Sequence, residues 1–178
     1  MIGTRNLVSN CRGAAAVEIA LVAPLLLAIL CGSIELGNYF MNEHTLVTGV
    51  RDGARFAARQ AFGQYTGCGG TATAVPTTVS NNTKLLVRKG SLDSSANDLL
   101  PNWTSGTTTF TVTMVCNTTA GGVTMSGIYS GNSVGTAGAA PTVLVTAHLP
   151  YRPILSSFGW RGTGYFLNAS QEAAVAGI

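Results

Sequence analysis

The residues with the clearest capacity for chemistry lie at the start of an apolar segment, where one carboxylate follows a glycine. Glu18 stands five residues after Gly13, and uncharged, mostly apolar residues continue from it to Ile34. An unpaired carboxylate in hydrocarbon costs roughly 2.5–3.5 kcal/mol, so Glu18 is expected to have a cationic partner. Cleavage after Gly13 would expose the α-amine of Ala14, and the α-ammonium of a neighbouring subunit could then neutralise the carboxylate. The pattern predicts a processing site followed by a residue that orders subunits.

The apolar segment is long enough to cross a membrane. Residues 19–34 carry no charge, and a helix extended back to Ala14 would be about 31 Å long, which matches a hydrocarbon core of about 30 Å. Arg5 and Arg12 precede the segment without an acidic residue, which predicts a cytoplasmic N-terminus and an extracytoplasmic remainder. Pro24 removes one backbone hydrogen bond and is expected to kink the helix.

Three simpler explanations of this segment fit the residues less well. A secretory signal peptide needs small residues at a cleavage site after the apolar run, but the sequence there is Leu30-Cys31-Gly32-Ser33-Ile34-Glu35. A lipoprotein signal needs a small residue before the cysteine, and Leu30 occupies that position. An uncleaved anchor fits the length but gives no reason for Gly13 and Glu18.

The helix is expected to continue beyond the membrane as far as Phe62. Apolar residues recur along it at spacings of three and four, which indicates a face packed on a globular domain. These residues are Leu46, Val50, Ala54, Ala57 and Ala61. Gly53 would allow a neighbouring element to approach closely, and Gly63 with the glycine-rich residues 67–70 would end the helix.

A second face of this helix is basic. Arg51, Arg55 and Arg59 recur every four residues, and Asp52 can pair with Arg55 three positions later. Such a pair contributes only tenths of a kcal/mol. The ridge is explained either by a solvated helix face or by the binding of an acidic partner, and the sequence leaves both open.

The second half of the chain predicts a small β-sheet domain. Residues 109–116, 142–149 and 162–170 alternate polar and apolar side chains, as half-buried strands do. Half-polar strands favour antiparallel pairing. Residues 83–89 fit either a short helix or a strand, of which the helix is preferred, and a long loop is expected over 121–140. The predicted fold class is therefore α+β, with a long N-terminal helix, half transmembrane and half amphipathic, packed on a small antiparallel sheet.

Two of the four cysteines lie in the polar part of the chain. In an oxidising compartment Cys68 and Cys116 can form a disulfide, which would join the end of the long helix to a central strand. Two buried free thiols are the alternative. No C-x-x-C spacing occurs, so a structural zinc site is not expected.

The sequence offers no basis for catalysis or for nucleic-acid binding. The zinc-protease, nucleophile-elbow, phosphate-loop and dinucleotide patterns are all absent. His44 follows Glu43 directly, but a solvated helix position explains it better than a ligand role, and His148 belongs to no recognisable triad. The net charge of +3 includes two basic residues in the first twelve, so the rest of the chain is nearly neutral. We expect no enzymatic activity, no catalytic residues, no metal, no cofactor and no nucleic-acid partner.

Three stretches resemble a known family. Arg12-Gly13-Ala14-Ala15-Ala16-Val17-Glu18-Ile19-Ala20-Leu21-Val22-Ala23-Pro24 resembles the start of the TadE-like minor pilins of tight-adherence (Flp/Tad) type IV pili. Val50-Arg51-Asp52-Gly53-Ala54-Arg55-Phe56-Ala57-Ala58 resembles that family's second block. Residues 143–153 resemble its closing strand and Pro-Tyr turn more loosely.

The resemblance implies a minor pilin, or pseudopilin, that acts in initiating or capping an adhesive Flp/Tad pilus. It implies cleavage between Gly13 and Ala14 by a prepilin peptidase and an ordering role for Glu18. The implied partners are that peptidase, the Flp major pilin, other minor pilins, the inner-membrane assembly platform and membrane lipid. The implied location is the bacterial inner membrane, crossed once with the C-terminal domain in the periplasm, followed by incorporation into the extracellular pilus.

These expectations divide the chain into four parts. They are a cytoplasmic leader (1–13), a transmembrane helix (14–36), a periplasmic continuation of that helix (37–62) and an extracytoplasmic β-rich domain (63–178). The alternative is a membrane-anchored extracytoplasmic binding protein without a filament role, in which the carboxylate of Glu18 would be dispensable.

Overall fold

The computed structural model describes residues 12–65, 73–118, 139–159 and 164–177. Its dominant element is one continuous helix, α1 (Arg12–Ala58), with Pro24 inside it. At 1.5 Å per residue this helix is about 70 Å long. The kink predicted at Pro24 stays a prediction. The long helix packed on a small antiparallel sheet is confirmed, and so is the α+β fold class.

The apolar N-terminal half of α1 is uncovered. From Gly13 to Leu30 every residue except the half-buried Ala23 is exposed, and the large apolar side chains Leu21 and Leu25 are 74% and 62% exposed. Within the described residues, one helix is long and apolar enough to cross a membrane, and it is this one. The length and composition therefore fit a single-pass membrane protein.

The other half of α1 packs on the sheet. Leu46, Val50, Ala54 and Ala57 are at most 1% exposed and belong to one core with the strands, so four of the five residues of the predicted apolar face are confirmed as buried. Ala61 is exposed, because the helix has already ended.

The helix ends at Ala58, four residues before the predicted end at Phe62. Its last carbonyl groups accept from a tighter turn and from the domain: the Arg59 and Gln60 N–H groups donate to the Phe56 and Ala57 carbonyls at 3.3 Å and 3.1 Å. The hydroxyl of Tyr65 donates to the Ala57 carbonyl, the Ala176 N–H donates to the Ala58 carbonyl at 2.9 Å, and the Gln60 amide donates to the Phe56 carbonyl at 3.1 Å. A short 3₁₀ helix, Phe62–Gln64, follows.

The sheet has four antiparallel strands in the order of the sequence. They are β1 (Thr73–Ala74), β2 (Thr109–Thr118), β3 (Ala139–Pro150) and β4 (Phe166–Ala174). Val112 pairs with Val145, and Val145 pairs in turn with Gln171. The three predicted strands are confirmed, the third beginning at Phe166 among the described residues. The sequence did not predict β1, which has only two residues.

A second helix, α2 (Thr77–Lys89), packs across α1 and ends at Gly90, whose φ of 68° is left-handed. It confirms the short helix predicted over 83–89 and begins six residues earlier, after Pro76. The two helices meet at glycines of α1: a Cβ on Gly49 would lie 2.9 Å from the Val87 carbonyl oxygen, and one on Gly53 would collide with the Val87 side chain. The close approach predicted for Gly53 is confirmed, with a helix as the neighbour.

The Gly49 contact predicts a loss of stability on adding one methyl group. Gly49→Ala should lower the free energy of unfolding by roughly 1–3 kcal/mol, because the obstacle is backbone that cannot rotate away. Gly37→Ala is the matched control: nothing lies within 4 Å of a Cβ there, so the better helix former should raise stability by about 0.5–1 kcal/mol. Chemical denaturation of both variants in detergent checks the pair, and equal effects at the two glycines would contradict the packing.

Candidate functional site

The predicted processing site lies on the first turns of α1. Gly13, Ala14 and Glu18 are all exposed, and nothing approaches a Cβ built on Gly13 within 4 Å. Ala14 and Glu18 are four residues apart, so their side chains lie on the same face of the helix. Glu18 forms no ion pair with any other residue that the structure describes. The cleavage and ordering roles of these residues stay predictions.

The predicted disulfide falls outside what the structure describes. Cys68 is not among the described residues, and neither is the side chain of Cys116. Cys31, on α1, is a free thiol and half-buried.

A second carboxylate of α1, which the sequence reasoning missed, is buried between the helix and the domain. Glu35 follows directly on the uncharged run and is only 7% exposed. Its Oε1 accepts hydrogen bonds from the Tyr151 hydroxyl at 2.6 Å and the Ile154 N–H at 3.2 Å, and its Oε2 accepts one from the Leu155 N–H at 3.0 Å. Three donors therefore satisfy a charge that would otherwise be costly to bury.

The chain after β3 is shaped to present these donors. Tyr151 is held by its own N–H, which donates to the Tyr165 carbonyl at 2.9 Å. Pro153 then precedes a 3₁₀ helix, Ile154–Phe158, whose first N–H groups have no partner within the helix. The Glu35 carboxylate supplies that partner from α1, and Asn38 completes the group by donating to the Tyr151 hydroxyl oxygen at 2.7 Å.

Two further side chains of the same helix face hold the edge strand. Tyr39 and Glu43 follow Glu35 at intervals of four, so all three lie in one row. The Tyr39 hydroxyl donates to the Phe166 carbonyl at 3.1 Å, and the Glu43 carboxylate accepts the Asn168 N–H at 3.3 Å. Both backbone groups belong to β4, which ends the sheet. The row therefore attaches α1 to the domain. It also occupies backbone groups at the edge of the sheet that could otherwise pair with another strand.

Burial shifts the ionisation of these groups in the expected directions. The pKa of Tyr151 is raised from 10.0 to about 12, by burial first and then by its hydrogen bond to Glu35. Burial also raises the pKa of Glu43, against the opposing effect of the hydrogen bond from Asn168. The neutral hydroxyl of Tyr151 is thus the form that the fold requires.

The basic ridge is solvent-exposed. Arg51, Arg55 and Arg59 are all exposed, and the predicted pair of Asp52 with Arg55 is present at 3.8 Å with side chains 54% and 57% exposed. A pair so exposed contributes little to stability. These arginines lie on a solvated face of α1, and the binding of an acidic partner to them stays a hypothesis.

The two histidines lie apart. His44 is on the exposed side of α1. His148 is on the sheet, stacked on Phe166 with ring centroids 4.3 Å apart and hydrogen-bonded to Asn168. In the part of the chain that the structure describes, no three His, Cys, Asp or Glu residues group as a metal site would.

Comparison with known proteins shows that the N-terminal segment is similar to a known family. Residues 13–55 match the model of a family described as TadE-like protein. This match confirms the resemblance over 43 of the 178 residues, and it supports a pilin-like protein associated with the Tad pilus machinery. Neither the curated proteins nor the solved structures gave a match. The matched segment contains Gly13, Glu18 and Glu35 and ends within the half of α1 that packs on the domain.

The Glu35 contacts predict a specific role for one hydroxyl group. Tyr151→Phe should lower the free energy of unfolding by about 1.5–3 kcal/mol at pH 8, because it removes a donor to a buried charge and keeps the ring. Tyr165→Phe is the control: Tyr165 is 60% exposed, and a change within about 0.5 kcal/mol is expected. Equal effects of the two variants in chemical denaturation would contradict the role of the hydroxyl.

The same hydroxyl predicts a pH dependence. Its pKa is about 12 in the fold and about 10 in the unfolded chain, so its contribution is complete below pH 10 and is lost as the pH rises through 12. The difference in stability between the wild type and Tyr151→Phe should therefore narrow from pH 10 to pH 12. Denaturation curves of both proteins over that range measure it, and a constant difference would count against the assignment.

Proposed function

We propose that this protein is a minor pilin of a tight-adherence pilus, which acts in initiating the filament or at its tip. It works by assembly and not by catalysis. The observation that carries the proposal is the division of α1 into two halves: residues 13–34 expose apolar side chains to the surroundings, while one face of residues 46–58 forms the core with the sheet. The TadE-like match spans both halves.

The exposed half suits two successive environments. In the membrane its apolar side chains would contact lipid, and in a filament the same side chains would contact the helices of other pilins. Glu18 is unfavourable in the first environment and becomes favourable in the second if a neighbour presents a positive charge. We propose that this charge is the α-ammonium of a neighbouring processed subunit, which fixes the stagger between helices.

The proposed sequence of events follows from an orientation with the N-terminus in the cytoplasm. The basic leader stays in the cytoplasm, a prepilin peptidase cleaves between Gly13 and Ala14, and the domain faces the periplasm. The assembly platform then moves the subunit out of the inner membrane to join the Flp major pilin and other minor pilins. The outer domain would contribute to adhesion from its place in the filament.

Processing is the first test of this proposal. When the chain is produced together with a prepilin peptidase, the mature protein should begin at Ala14, with or without methylation of its amine. Intact-mass measurement of the membrane-extracted protein gives the N-terminus directly. A mature protein that begins at Met1, or one that begins after Cys31, would rule the proposal out.

The role of Glu18 is tested separately. Glu18→Ala should impair pilus assembly strongly and leave membrane insertion intact, since removing a charge from the span does not oppose insertion. Glu18→Asp should retain part of the assembly, because the carboxylate remains. Ser33→Ala is the control within the same span: the Ser33 hydroxyl bonds only to the Ile29 carbonyl of its own helix. Normal pili from Glu18→Ala would instead favour a membrane-anchored binding protein.

A further inference from the structure

We propose that the base of the domain forms a second membrane contact beside α1, and that a groove in it takes a phospholipid from the periplasmic leaflet. We define the membrane-facing base as Leu36, Ile154 and Tyr165 together with the groove that Leu36 and Tyr165 line. This inference rests on one part of the proposed function, that α1 crosses a membrane, and it does not depend on cleavage or on filament assembly.

The contacts of Glu35 fix the height of this surface. A helix from Ala14 to Ile34 matches the thickness of the hydrocarbon core, so Glu35 lies where α1 leaves it. Because the N–H groups of Ile154 and Leu155 lie 3.2 Å and 3.0 Å from the Glu35 carboxylate, the Ile154–Phe158 3₁₀ helix lies at the same height. The domain therefore lies directly at the membrane–water interface and not at a distance from it.

The residues at this height are apolar or amphipathic, and they are exposed. Leu36 is 55% exposed, Ile154 is 54% exposed and Tyr165 is 60% exposed. Tyrosine is enriched at the membrane–water interface, where its ring meets the acyl chains and its hydroxyl meets the headgroups. Arg152 is exposed beside them, and a cation at this level suits the phosphate groups of lipids.

The groove has the size and lining for part of a lipid. It has a volume of ≈ 290 Å³ and runs between α1 and the turn after β3. Its lining residues are Gly32, Glu35, Leu36, Tyr39, Tyr151, Pro153 and Tyr165. The Glu35 carboxylate is occupied by its three donors, so the groove presents mainly apolar surface to a ligand.

Continuity with the membrane-spanning segment identifies the occupant. Gly32 belongs both to the wall of the groove and to the uncharged run that crosses the hydrocarbon core. A molecule that enters at this end of the groove therefore comes from the bilayer. A lipid whose acyl chain lies along Gly32 and Leu36 would remain in its own leaflet.

A photo-crosslinking residue placed at single positions of the full chain tests this inference. Benzoylphenylalanine would replace Ile154, Tyr165, Leu25 or Leu99 in vesicles of phosphatidylethanolamine and phosphatidylglycerol, and lipid adducts would be measured by mass spectrometry. Leu25 reports whether α1 spans the membrane. Leu99 is the matched control, because it is 50% exposed but lies beside His44 and Gly49, about 15–20 Å further along the helix.

The inference expects lipid adducts at positions 154 and 165 in several-fold excess over position 99, together with adducts at position 25. Adducts at 25 but not at 154 or 165 would overturn the second contact and leave the spanning helix intact. No adducts at any position would overturn both the second membrane contact and the spanning of the membrane by α1. Equal yields at 99 and 154, or cross-links from 154 to a second copy of the chain in place of lipid, would also overturn the inference.

Discussion

A buried carboxylate at the point where α1 leaves the apolar run is the interaction on which the arrangement of this molecule depends. Glu35 is the only acceptor among the described residues that joins α1 to the Ile154–Phe158 3₁₀ helix, and Tyr151 connects that contact to the end of β3. A helix that crosses a membrane and then carries a domain needs a fixed angle between the two. Hydrogen bonds to a charge are directional and strong, so they set this angle better than apolar packing alone would.

The rest of the fold extends this attachment along the helix. Above Glu35, Tyr39 and Glu43 hold the edge of β4, and further on Gly49 and Gly53 admit α2 against the helix backbone. The attachment is thus polar next to the apolar half of α1 and consists of close packing further along the helix. This order suits a helix whose first half is long and apolar enough to cross a membrane and whose second half is covered on one face by the domain. One helix thus contributes to the domain core and, in the proposed function, serves as membrane anchor and filament contact.

The sequence predicted the elements whose signals are local and missed the contacts that join distant residues. The spacing of Leu46, Val50, Ala54 and Ala57 was enough to predict the packed half of α1, and alternation was enough to predict β2, β3 and β4. The role of Glu35 could not be read in the same way, because its partner Tyr151 is 116 residues away. A signal was present nonetheless: Glu35 is a lone carboxylate at the end of an uncharged run, as Glu18 is at its start, and the same question of a partner applies to both. The end of α1 was placed four residues late because tertiary donors to the Ala57 and Ala58 carbonyls outweigh helix propensity.

The two carboxylates that flank the uncharged run therefore differ in their partners: that of Glu35 lies within the chain, and that proposed for Glu18 comes from a neighbour. The most direct measurement is zero-length carbodiimide cross-linking of assembled pili or membrane complexes, followed by peptide mass spectrometry. The account predicts an amide between the side chain of Glu18 and the α-amine of a neighbouring processed pilin, since that coupling needs the two groups in contact. A Glu18 that couples to no subunit amine while the pili are intact would contradict the central claim that this carboxylate orders subunits.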